Sequence, residues 1–326
     1  MRVLFWGTPE FAAPPLRALM GEGFEVVGVV TQPDKPVGRS RSRLVPPPVK
    51  RIAAEEGIPV LQPRAPRGED FLDEIRALSP DVSVVVAYGH ILPKPVIDVP
   101  RFGSLNIHAS LLPKLRGAAP IQAAIREGHE QTGVTVMRVV PALDAGPIIH
   151  QVATPILDDE TYGELSLRLS ELGALALVEA LALVAVGEAV ETEQDDSQAT
   201  YAPKVDRRST RVDWSLDAVR VSRVVRAYDP RPGAFTRLRG ADVKVFGARP
   251  VADGSDLGRA PGEVLEIGRT GMVVACGARS AVRVAAVQPA GKKRMTPEEW
   301  ARGRSLAVGD RFGVGDYAVD DEVATP

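Results

Sequence analysis

Short runs rich in valine and isoleucine recur through the first half of the chain, at Val3 to Trp6, Phe24 to Thr31, Val82 to Ala87, Leu105 to His108 and Val134 to Val140. Runs this short and this uniformly apolar predict strands covered on both faces. Between them, Glu10 to Met20, Val49 to Glu56, Phe71 to Leu78 and Pro120 to Arg126 carry helical spacing. The alternation predicts an α/β domain with a largely parallel sheet. Ligands of such open sheets sit beyond the carboxyl ends of the strands, where this chain's polar clusters fall.

A long helix follows, opened by Thr161-Tyr162-Gly163-Glu164, whose threonine and glutamate have the spacing of a capping box. Gly187 ends it, and the polar stretch that follows reads as a crossing segment. From Arg237 onward the apolar segments shorten and glycine and proline punctuate them, at Val243 to Phe246, Gly262 to Ile267, Gly271 to Cys276 and Ala281 to Val287. That spacing predicts a small β-barrel. The expected division is residues 1–187 as one domain, 188–205 as linker, 206–311 as a second domain, and 312–326 as a tail too poor in apolar residues to fold alone.

Composition narrows the class. The longest apolar run, Leu175 to Val186, contains Glu179 and is shorter than the roughly 20 residues that cross a bilayer, so no membrane span is expected. The apolar start is too short for a signal peptide, which favours a cytoplasmic protein. The single cysteine, Cys276, excludes an internal disulfide and a cysteine-cluster metal site, and its strand-like setting predicts a buried thiol. Net charge is −2, but residues 1–202 carry 18 Lys and Arg against 26 Asp and Glu, while residues 203–311 carry 22 against 12. Positive charge gathered in one domain implies attraction to a polyanion, nucleic acid above all, with a plain solvated basic surface as the alternative.

The first turn invites a dinucleotide-binding reading that its residues do not support. Gly7-Thr8-Pro9-Glu10-Phe11-Ala12 lacks the glycine triplet, and Glu10 would face a phosphate with like charge. No Walker-type loop occurs either, so neither nicotinamide nor phosphoryl chemistry is expected. The informative stretch is Ser104-Leu105-Asn106-Ile107-His108-Ala109-Ser110-Leu111-Leu112-Pro113, leading to Arg116-Gly117. On a strand, Asn106 and His108 share one face, which sets an amide beside a group that titrates near neutrality. Asp144, in Leu143-Asp144-Ala145-Gly146-Pro147, places an acid in a turn, where aspartate is also a common turn former.

These motifs resemble the methionyl-tRNA formyltransferase family almost from end to end. Asn-x-His with Ser-Leu-Leu-Pro and Arg-Gly is similar to the signature of the 10-formyltetrahydrofolate-dependent formyltransferases, and Leu-Asp-x-Gly to the segment with their third catalytic residue. Narrower matches are Gly7-Thr8-Pro9-Glu10-Phe11, Thr31-Gln32-Pro33-Asp34-Lys35-Pro36, Tyr201-Ala202-Pro203-Lys204, Arg226-Ala227-Tyr228-Asp229-Pro230 and Gly291-Lys292-Lys293. The resemblance implies a Rossmann-like, open, mostly parallel sheet of the formyltransferase fold, followed by a C-terminal barrel of oligonucleotide-binding (OB) type. It implies catalysis by Asn106, His108 and Asp144, with 10-formyltetrahydrofolate as formyl donor and neither metal nor nicotinamide. The folate is expected near Ala87, Tyr88, Gly89, Ile91 and Leu92 and along Ser110, Leu111, Leu112 and Pro113. The chemistry is consistent with the trio: an attacked formyl group develops a negative oxygen that an amide and an imidazolium can hold, while a carboxylate can relay the proton.

Between Lys35 and Arg51 six basic residues and no acid surround glycine and three consecutive prolines, which predicts an exposed basic loop. The resemblance brings this loop to the tRNA acceptor end, with Arg39 as its main contact. The segment Ser40-Arg41-Ser42-Arg43 departs from the family pattern but keeps the charge. Expected tRNA contacts are Lys35, Arg39, Arg41, Arg43, Lys204, Lys292 and Lys293. The partners implied are initiator methionyl-tRNA and a reduced folate, acting on a monomer. Two other readings stand beside this one: a formyltransferase acting on a small nucleotide or nucleotide-sugar amine, and an RNA-binding protein without catalysis.

Overall fold

The computed structural model describes residues 1–37, 43–251 and 258–313, in two compact units. The first comprises Met1–Pro120, Gln131–Pro155 and Leu165–Pro203; the second comprises Ile121–Glu130, Ile156–Glu164 and the chain from Lys204 onward.

The first unit is built on strands β1 (Arg2–Gly7), β2 (Glu25–Val30), β5 (Val60–Leu61), β6 (Val82–Val86), β7 (Ser104–His108), β8 (Gln131–Arg138) and β9 (Ile148–Pro155). Their order in the sheet is β5-β2-β1-β6-β7-β8-β9. The first five run parallel, and β8 and β9 turn antiparallel at one edge. Burial explains the pattern: β6 is buried at all five positions, as a central parallel strand must be, whereas edge strand β9 alternates exposed and covered residues from Gln151 to Pro155. Helices α1 (Ala13–Gly21), α2 (Pro48–Glu55), α3 (Glu69–Ala77) and α4 (Lys94–Ile97) make the crossings, while α5 (Pro120–Glu127) falls almost wholly in the second unit. A short hairpin, β3 (Lys35–Val37) and β4 (Arg43–Val45), interrupts the β2–α2 connection where a basic loop was expected.

Helix α6 (Tyr162–Val186) closes the series and has 25 residues, longer than the apolar run the sequence marks out. By length and composition it is apolar enough to cross a membrane, but half of that stretch is buried within the protein. Leu165, Leu169, Gly173, Leu177, Ala180, Leu181 and Val184 form the covered stripe. The expected capping box is present: Glu164 N–H donates to Thr161 Oγ1 at 3.4 Å, and Thr161 N–H to Glu164 Oε2 at 2.9 Å. Gly173 lies against β7; a Cβ there would stand 3.0 Å from Ile107 Cγ2. The glycine, costly inside a helix, lets α6 approach the strand that carries Asn106 and His108.

Residues expected as a linker carry ordered bonds to the first unit. Thr192 exchanges hydrogen bonds with Ile148 at 2.8 and 2.9 Å, and Arg116 with Thr200 and Ala202 at 2.8 and 2.7 Å. Their composition reads as a crossing because polar contacts, main-chain and side-chain hydrogen bonds, hold them there and leave no apolar signature.

The second unit holds α7 (Ala218–Tyr228), α8 (Pro297–Arg302) and a five-stranded antiparallel sheet ordered β10 (Ala234–Leu238), β11 (Ala241–Pro250), β14 (Ser280–Pro289), β13 (Gly271–Cys276) and β12 (Val264–Gly268). The segment Asp310 to Gly313 joins its two edges: Val264 N–H donates to Asp310 O, and Gly313 N–H to Arg237 O at 2.9 Å. Phe312, placed by the sequence in a tail, is 1% exposed and stacks with Trp214 and Trp300 at centroid distances of 5.8 and 6.5 Å. Phe312 and Gly313 therefore belong with the second unit, because one aromatic ring supplies the apolar area that local composition lacks. Cys276 is buried as expected, 3% exposed, and burial pushes its thiol up to about 12.

Candidate active site

Asn106 and His108 lie two residues apart on β7, paired in register with Met137 and Thr135 of β8. Asn106 is partly covered, and its side-chain amide has no hydrogen-bond partner among the described residues. His108 is 6% exposed and both its ring nitrogens face acceptors. Nε2 lies 2.9 Å from Leu115 O, so it carries the hydrogen, because a carbonyl can only accept. Nδ1 lies 3.6 Å from Asp144 Oδ2.

Asp144 reaches this position by a detour. Strand β8 runs against β7, with Arg138 opposite Leu105, so the β8–β9 connection leaves the sheet at the start of β7 and folds back toward His108. Asp144 sits in it at φ 49°, a left-handed backbone that costs a non-glycine residue free energy. Its Oδ2 accepts the Gly117 N–H at 2.8 Å. Gly117, at φ 114°, would with a Cβ strike Ala202 O at 2.7 Å, so only glycine fits beside the 200–202 segment.

The Ser-Leu-Leu-Pro segment forms the turn that brings Leu115 to His108. Thr135 Oγ1 donates to Ser110 O at 2.6 Å and accepts from Leu112 N–H at 3.2 Å, while Gln151 Nε2 donates to Leu112 O at 3.0 Å. Ser110 and Leu112 are 1% and 4% exposed, so their side chains serve the fold, and Leu111 and Pro113 are partly covered. In the segment after β6, Ala87 is exposed at φ 48°, Gly89 has φ 92° and Ile91 is 75% exposed, at the same end of the sheet as His108. Tyr88 and Leu92 point into the core instead, 2% and 5% exposed. The Tyr88 ring meets Trp6 edge-on at 5.3 Å, and burial pushes its phenol up to about 12. What Tyr88 offers the segment is its carbonyl, which receives Thr8 Oγ1–H at 3.1 Å and Gln32 Nε2–H at 3.2 Å.

The basic residues divide. Lys35 and Arg43 stand exposed on the hairpin, whose base is tied by Lys50 Nζ to both Asp34 oxygens at 2.8 and 2.9 Å. Arg39 and Arg41 lie outside the described residues. Lys204, Lys292 and Lys293 are exposed in the second unit, the last two in the turn after β14. That unit also carries a cavity of about 510 Å³ whose lining includes Arg207, Phe235, Lys244 and Gly291. Among the described residues no cluster of three or more metal-ligating side chains occurs.

The fold and the trio define a formyl-group transferase: the formyl transferase family model matches residues 1–181, and its C-terminal domain model residues 204–305. A methionyl-tRNA formyltransferase of Methylococcus capsulatus is 47% identical over 313 residues, covering 96% of this chain and 100% of that protein. Another from Aromatoleum aromaticum is 47% identical over 312 residues, covering 96% and 97%. The chain belongs to the methionyl-tRNA formyltransferase family. The crystal structure of HypX from Aquifex aeolicus in complex with tetrahydrofolic acid shares the fold at a TM-score of 0.64 and 21% identity, over 92% of this chain and 46% of that one.

Sequence reasoning missed Gln194, Thr135 and Gln151 around the trio. Gln194 lies in an acidic stretch that reads as a crossing, and the other two are polar residues on strands, so no local pattern marks them.

Proposed function

We propose that the chain transfers the formyl group of 10-formyltetrahydrofolate to the α-amino group of methionyl-initiator tRNA, giving N-formylmethionyl-tRNA and tetrahydrofolate for translation initiation. The observation that carries the chemistry is the Asn106 amide, without a hydrogen-bond partner among the described residues, on the same strand face as a histidine that meets Asp144 at 3.6 Å. As the amine nitrogen bonds to the formyl carbon, charge gathers on the formyl oxygen. The Asn106 N–H groups donate to it and, in the imidazolium form, so does His108 Nδ1–H; Nε2–H is committed to Leu115 O. Asp144, directly or through water, takes the proton the amine sheds and returns one to the folate nitrogen as its bond to carbon breaks. The polar trio suits a formyl donor, with Ala87, Gly89 and Ile91 forming the open flank and Leu111 and Pro113 the adjoining wall.

Residues 1–187 supply donor binding and chemistry, and the C-terminal domain supplies phosphate contacts. Lys35, Arg39, Arg41, Arg43, Lys204, Lys292 and Lys293 meet the tRNA backbone, supported by the excess of 22 Lys and Arg over 12 Asp and Glu in residues 203–311. The protein works as a cytoplasmic monomer. The test offers formyl-labelled 10-formyltetrahydrofolate with methionyl-tRNA, with nucleotide-sugar amines, or with no acceptor. Label in methionyl-tRNA alone is expected; label in a sugar amine, or in no acceptor, overturns the reading.

A further inference from the structure

We infer that Gln194 is a positioning residue for Asp144, with Arg116 fixing the orientation of the Gln194 amide. The inference rests on the reading of Asp144 as the acid–base group. Asp144 holds a left-handed backbone at φ 49°, which persists only where the surroundings over-determine it. Gln194 supplies that constraint: its Nε2 donates to Asp144 O at 2.9 Å and to Gly146 O at 2.8 Å, so both amide hydrogens are spent on the catalytic turn. Its Oε1 accepts from Arg116 Nε at 3.1 Å and from a terminal guanidinium nitrogen at 2.8 Å.

This network leaves the amide one orientation. A guanidinium only donates and a carbonyl only accepts, so a flipped Gln194 would set N–H against N–H and oxygen against two carbonyls. Arg116 is 3% exposed, and its guanidinium also donates to Asp196 Oδ1 at 2.7 Å. Its main chain is clamped by Thr200 and Ala202. The neighbours of Arg116 hold His108 and Asp144 directly, since Leu115 O meets His108 Nε2 and Gly117 N–H meets Asp144 Oδ2. Asp144 is thus held by its side chain through Gly117 and by its main chain through Gln194, and both supports converge on Arg116. Gln194 touches no reacting atom; without it two carbonyls lose their donors and the turn can relax to a commoner φ, shifting the carboxylate. A displacement of about 1 Å in such a group costs up to about a hundredfold in rate.

The test compares wild type with Gln194→Glu, Gln194→Leu and Asp144→Asn. Gln194→Glu keeps an acceptor for Arg116 and removes the donors to Asp144 and Gly146; Gln194→Leu removes both sets. We expect kcat to fall by roughly tenfold to a hundredfold in both Gln194 variants. KM for donor and for tRNA should stay within about twofold of wild type, the pH of half-maximal kcat should move, and the melting temperature of the Glu variant should be retained. A folded Gln194→Glu with wild-type kcat and pH profile overturns the inference. So does a loss of folding in both variants, which would make Gln194 a residue of the fold alone. Full turnover in Asp144→Asn would instead overturn the reading of Asp144, so the two failures are distinguishable.

Discussion

His108 has one ring nitrogen bound to a carbonyl and the other turned to Asp144, whereas the Asn106 amide has no competing partner among the described residues. Removing it should therefore act on the transition state more than on binding. Asn106→Ala is expected to lower kcat about a hundredfold or more with KM for both substrates nearly unchanged, and Asp144→Ala to do the same, as steady-state kinetics on purified protein will measure. A different residue, Cys276, has chemistry that burial suppresses. With its thiol pushed up to about 12, the reactive thiolate is scarce at pH 8, since a raised pKa keeps the proton on below that value. A thiol reagent at pH 8 should label Cys276 only after denaturant is added; rapid labelling of native protein would contradict this.

At the scale of elements, β7 is positioned by its neighbours on all sides: β6 and β8 in the sheet, the 115–117 turn at its end, and α6 against its face. Gly173 is where α6 meets it most closely, so Gly173→Val, which brings a Cβ to 3.0 Å from Ile107 and two further methyls, must push helix and strand apart. Overpacking of this kind costs about 1–3 kcal/mol. A lowered unfolding midpoint together with a lowered kcat is expected; an unchanged kcat would show that α6 does not set the position of β7. In the second unit the joining segment from Asp310 to Gly313 depends on Phe312. Phe312→Ala should destabilise that unit by about 3–5 kcal/mol, measurable as a lowered unfolding midpoint.

At the scale of the whole molecule, acid dominates residues 1–202 and base dominates residues 203–311, apart from the basic hairpin inserted into the acidic part. Attraction to tRNA through these groups is an exchange of cations on the phosphates, so binding should weaken steeply with salt. Between 50 and 200 mM monovalent salt we expect at least roughly a tenfold loss of tRNA affinity, read by filter binding or fluorescence, whereas the KM for the folate moves little. A flat response would mean that the basic surfaces do not meet phosphate.

Much of this was legible in the chain. The valine-rich runs mark β1, β2, β6, β7 and β8, because a strand covered on both faces must be apolar on both, and Asn106 and His108 share a face through the two-residue period of a strand. The hairpin at 35–45, the antiparallel edge strand β9 and the place of Phe312 were not legible, since edge pairing and long-range stacking leave no local periodicity. The sequence by itself determined the alternating α/β unit, the short-stranded second unit, the acid–base division of charge and the shared strand face of Asn106 and His108. Only the tertiary structure decided that Asp144 folds back from the far end of the sheet, that Leu115 O meets His108 Nε2, and that Gln194, bound to Arg116, donates to the carbonyls of Asp144 and Gly146. Those contacts join polar groups separated by up to 78 positions along the chain, and hydrogen bonds of that span are set by how the chain packs, which no local pattern of residues encodes.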